Sequence, residues 1–82
     1  MRLSELSRGV AATIRSVDDA TQPDPIAGRL RELGFVAGEA VRIVARGPFG
    51  GDPLLVQIGS TQFALRRVEA ARVNIETQAV AT

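Results

Sequence analysis

The chain has 82 residues, of which nine are acidic and ten basic, for a net charge of +1. It contains no cysteine, histidine, lysine, tryptophan or tyrosine. That rules out disulfides, thiolate and imidazole metal sites, Schiff-base chemistry and any imidazole-activated nucleophile. The length suits one hydrophobic core, and an apolar fraction of 45% is too high for a disordered chain. All ten bases are arginine, which favours planar, paired contacts with carboxylates or phosphates. The small basic excess argues against nucleic acid as a partner.

In chain order, Leu3–Leu6 reads as a short turn that tucks two leucines inward. Arg2, Glu5 and Arg8 interrupt the first residues, so no signal peptide is expected there. No run reaches the roughly 18–20 apolar residues that span a bilayer, so the expectation is a protein of the cytoplasm without membrane insertion. From Val10 to Val17, apolar Val10, Ala12 and Ile14 alternate with Ala11, Thr13 and Arg15, the period of a half-buried strand. Asp18 and Asp19 open a polar loop.

Asp24 is placed to cap a helix, Pro25 suits its first position, and Ile26, Leu30 and Leu33 form an apolar stripe. Gly34 fits a left-handed close, after which Phe35 folds back onto the stripe. Gly38 turns the chain into a strand over Glu39–Arg46, and the Gly47–Pro53 segment is expected to be a loop throughout. Leu54–Ile58 and Thr61–Leu65 flank Gly59-Ser60, the pattern of a tight hairpin with a type II′ turn. Arg66–Ala71 is long enough for one helical turn, and Val73 and Ile75 mark a last strand. The expected organisation is one domain over residues 1–76 and a flexible tail over 77–82. The fold class is mainly β with one or two short helices, and about five strands closing as a small barrel leave no edge exposed.

Catalytic residues, cofactors and metal ligands are not expected. The Gly47–Pro53 loop lacks the Gly-Lys-Ser/Thr ending of a phosphate-binding loop. Asp18, Asp19, Asp24, Asp52 and Glu69 are chemically able to hold a hard cation, but acids in polar loops are ordinarily solvated. Phe35, Phe49 and Phe63 are too few aromatics to line a groove for proline-rich peptides or to stack unpaired bases.

Three segments in order resemble a known family. Arg29-Leu30-Arg31-Glu32-Leu33-Gly34-Phe35, followed by Ala37-Gly38-Glu39-Ala40-Val41, is similar to the core pattern of FeoA domains. Pro48-Phe49-Gly50-Gly51-Asp52-Pro53 resembles their proline–glycine–aspartate–proline loop, with one extra glycine, and Phe63–Ala70 resembles their closing segment. The resemblance implies an SH3-like barrel and a non-catalytic accessory of ferrous iron uptake. Its implied partner is the membrane transporter FeoB or the transporter's cytoplasmic G domain. The alternative it implies is a metal-responsive regulatory domain of the kind found in iron-dependent repressors.

A protein without catalytic groups works by contact, and arginines and aromatics dominate contact hot spots. The partner-binding candidates are Arg29 and Arg31 on the helix, Phe49 and Asp52 in the long loop, and Arg66 and Arg67 after the hairpin. Phe49 suits either a cap on the barrel end or an exposed anchor, with capping favoured. Asp52 is expected to bond its own loop backbone. A monomer or a weak homo-oligomer is expected, since small cores and short edge strands associate readily.

Overall fold

The alternating runs fold as antiparallel strands in the computed structural model, which describes residues 1–77. A 3-10 turn (Leu3–Glu5) leads into β1 (Ala12–Val17), α1 (Pro25–Leu33), β2 (Ala40–Gly47) and β3 (Gly51–Ile58). After these come β4 (Thr61–Leu65), α2 (Arg67–Ala70) and β5 (Val73–Thr77). The five-stranded sheet has the order β4-β3-β2-β1-β5. Register shifts between Ile14 and Ser16, and between Ile43 and Ala45, bend the strands they interrupt.

The fold is mainly β and SH3-like, as expected, but the sheet does not close by hydrogen bonding. Its order ends at β4 on one side and β5 on the other. The N-terminal residues cover the β5 edge: Arg2 bridges Asn74, and the Ile75 amide donates to the Met1 carbonyl at 2.8 Å. The β4 edge has no such cover among the described residues.

Helix α1 begins and ends where the sequence indicates. The Asp24 side chain accepts from the Ile26 and Ala27 amides, Pro25 is the first helical residue, and Gly34 closes the helix left-handed at φ 110°. Phe35 then folds back, its amide donating to the Leu30 carbonyl at 3.0 Å and its ring fully buried. The buried face centres on Ala27 and Leu30, while Ile26 and Leu33 are only half-buried and border a groove. Phe63 packs against the core with its ring 5.6 Å from that of Phe35.

Two expected boundaries move. The loop between β2 and β3 is only Pro48–Gly50, because Gly47 already pairs with Gly51 and the strands resume there. Phe49 therefore stands at the tip of a tight hairpin. At the other end Thr77 belongs to β5, and the rest of the expected tail, 78–82, lies outside the described residues.

Candidate docking surface

The five carboxylates chemically able to hold a cation are all engaged within the fold. Asp18 pairs with Arg2, Asp19 with Arg31 at 3.1 Å, and Asp24 with Arg72 at 3.1 Å. Asp52 accepts from the Arg67 amide at 3.0 Å, and Glu69 from the Arg66 amide at 2.8 Å. Among the described residues, no three such groups gather where they would hold a metal ion.

Asp24 is the most constrained of them, and sequence reasoning saw only half of its role. Its carboxylate is buried, receives the Ala20, Ile26 and Ala27 amides, and pairs with Arg72 from the far end of the chain. The Ala20 amide, then the Ala27 amide and Arg72, outweigh the cost of burial and lower its pKa from an ordinary 3.8 to about 2. No local signal marks Arg72 as the partner, since 48 residues separate the two.

This use of the acids sorts the arginines. Arg2, Arg15, Arg31 and Arg72 are ion-paired, and Arg46 donates to the Leu6 and Ser4 carbonyls. Among the described residues, Arg8, Arg29, Arg42, Arg66 and Arg67 have neither an ion pair nor a side-chain hydrogen bond, so their guanidinium groups are available to a partner.

The sequence-chosen residues divide among three places. Phe49, Asp52 and Arg66 line one shallow hollow with Pro53. Arg67 is tied to that hollow by the bond from its amide to Asp52. Arg29 flanks a separate groove of about 330 Å³ between α1 and β4, with Glu69. Arg31 faces another way and is held by Asp19 and by the Val17 carbonyl, the latter at 2.6 Å.

Two expectations are corrected here. Phe49 does not cap the barrel: it is 81% exposed, because the core is already filled by Phe35 and the half-buried Phe63. Asp52 bonds its own loop through its backbone amide, which donates to the Phe49 carbonyl at 3.2 Å, but its carboxylate does not turn back on that loop; it reaches across to the first amide of α2, where helix-end donors attract negative charge. That bond joins the hairpin to α2, and the exposed Phe49 ring shares its hollow with the unpaired Arg66 side chain, Arg67 being the next residue along the chain. Val68, on α2, is also 60% exposed. Sequence reasoning did not single out Arg8 and Arg42, which share a second shallow hollow with Gln57. The outward phase of Arg42 between Val41 and Ile43 was the available signal.

The hollow thus gathers an exposed aromatic ring, a proline and an unpaired arginine at the hairpin–helix junction. A family model described as the FeoA domain matches residues 1–77. The chain belongs to the FeoA family. The chain is 36% identical over 76 residues to the Fe(2+) transport protein A/Fe(2+) transporter FeoB fusion protein of Porphyromonas gingivalis. The match covers 93% of this chain and only 8% of that longer protein. The crystal structure of Stenotrophomonas maltophilia FeoA complexed with zinc, described as an SH3 domain protein, is similar with a TM-score of 0.87 and 59% identity. That match covers 93% of this chain and 89% of the other. The solution structure of iron(II) transport protein A from Clostridium thermocellum has a TM-score of 0.81 and 35% identity, over 94% of this chain and 45% of that one. Ferrous iron transport is thus the setting of the family.

Proposed function

We propose that this protein is a non-catalytic accessory of ferrous iron uptake that docks on the cytoplasmic side of the transporter FeoB through the patch of Phe49, Pro53, Arg66 and Arg67. The observation that carries the reading is the Porphyromonas gingivalis relative, whose name joins the two proteins in one chain. Fusion converts an encounter into an intramolecular contact at high effective concentration, an arrangement that serves partners working together. The patch supports the reading on physical grounds, since exposed aromatics and unpaired arginines supply most contact energy at interfaces. Asp52 acts by positioning, holding Phe49 and α2 in one relation. Arg29 belongs to a different face, and Arg31 is engaged within the fold. The metal-responsive alternative needs a ligand cluster, and nothing among the described residues favours it.

The test is titration of the isotope-labelled protein with the transporter's cytoplasmic G domain, with and without guanine nucleotide. Amide shifts are expected at Phe49–Asp52 and Arg66–Val68. Phe49→Ala is expected to weaken binding by about tenfold or more, and Arg66→Glu by a similar factor, with the remaining spectrum unchanged. Shifts confined to another face, or full binding by both variants, would refute the assignment of the patch.

A further inference from the structure

The free edge of β4 has a specific pattern of unpaired backbone groups. Gly59 and Ser60 join β3 to β4 as a two-residue turn with φ 58° at Gly59, and Ile58 lies opposite Thr61. Such turns are closed by a hydrogen-bonded pair, so the alternating ladder directs the amides and carbonyls of Thr61, Phe63 and Leu65 toward β3. Those of Gln62 and Ala64 point away from the sheet, and nothing among the described residues bonds to them. Natural edges are guarded by lysine, proline, bulges or inward charges. β4 reads Thr-Gln-Phe-Ala-Leu and pairs with β3 without a register shift, so it carries none of these guards.

We infer that β4 pairs with β4 of a second copy, antiparallel about a two-fold axis at Phe63, so that the two five-stranded sheets become continuous. The strand itself selects a copy of itself. In that register Gln62 faces Ala64 of the second copy, and each such pair exchanges both of its free backbone hydrogen bonds. Phe63 meets its symmetry mate at the closer, non-hydrogen-bonded position, where aromatic pairs are favourable. No like charges oppose each other, because β4 is uncharged and the adjoining groove carries one cation, Arg29, and one anion, Glu69. The contact is short, so the dissociation constant is on the order of 0.1–1 mM. This inference does not depend on the docking patch, which lies on the hairpin tip and α2.

The test is sedimentation equilibrium of the full chain from about 10 μM to about 1 mM, with amide hydrogen exchange read by NMR across the same range. The expected result is a rise toward the dimer mass, with Gln62 and Ala64 gaining protection while Phe49 and Arg66 do not. Gln62→Lys puts a charge on each side of the paired edge, and Ala64→Pro removes only an outward amide, a replacement edge strands tolerate. Each is expected to leave a folded monomer at every concentration. A wild-type chain that stays monomeric overturns the inference, as does a dimer that survives Gln62→Lys. Protection of Gln62 and Ala64 that appears only when the transporter G domain is added also overturns it, and would assign the edge to a strand of that partner.

Discussion

Phe35 and Phe49 are the same side chain put to opposite uses. Phe35 is fully buried beside Phe63 and under α1, whereas Phe49 is 81% exposed at a hairpin tip. Phe35→Ala removes a packed ring and leaves a cavity, at a cost of about 3–5 kcal/mol. A chain of this size has roughly 4–12 kcal/mol in total, so that variant is expected to be unfolded or nearly so. Phe49→Ala is expected to change stability by less than about 0.5 kcal/mol and to lose affinity instead. Urea unfolding midpoints set beside binding isotherms separate the two effects. Arg31 and Arg66 form a parallel pair. Arg31→Glu breaks the contacts to Asp19 and the Val17 carbonyl and is expected to lower the midpoint, whereas Arg66→Glu is expected to weaken docking.

Helix α1 shows that a well-placed element is not an optimised one. Gly28 sits in its interior, and a Cβ added there would meet nothing within 4 Å. Glycine in such a position loses more backbone entropy on folding than alanine does. Gly28→Ala is therefore expected to stabilise the protein by about 0.5–1 kcal/mol, raising Tm by several degrees in a thermal scan. An unchanged or lowered Tm would mean that α1 is not formed as described. The limits of α1, the hairpin turn at Gly59-Ser60 and all five strands were legible because caps, tight turns and alternation are local signals. What escaped the sequence depended on distance along the chain or on competition for space. Gly51 joins β3 only because Gly47 lies opposite it, Arg72 reaches Asp24 across 48 residues, and Phe49 is exposed because other rings already fill the core. The candidate site was legible in its residue types, but its grouping was not. Only the fold shows that Phe49, Asp52 and Arg66 share one hollow while Arg29 and Arg31 lie elsewhere.

At the scale of the molecule, Asp24 ties three segments that no ladder connects: the loop at Ala20, the start of α1, and Arg72 just before β5. Its anionic form makes these bonds, which is why its pKa falls to about 2 in the folded state, first through the Ala20 amide. Asp18 is lowered as well, chiefly by its bond from Arg2. A carboxylate with a depressed folded pKa stabilises the native state above its unfolded pKa, and that contribution fades as pH falls toward the folded value. Stability is therefore expected to be nearly flat from about pH 7 to 5 and to drop between about pH 4 and 2. Asp24→Asn keeps the shape but loses the charge-assisted bonds. Its Tm is expected to lie below that of the parent at neutral pH and to converge with it toward pH 2. Thermal unfolding of both proteins across that range checks the claim. Parallel curves would show that the link from the Ala20 loop and the start of α1 to Arg72 does not depend on the charge of Asp24.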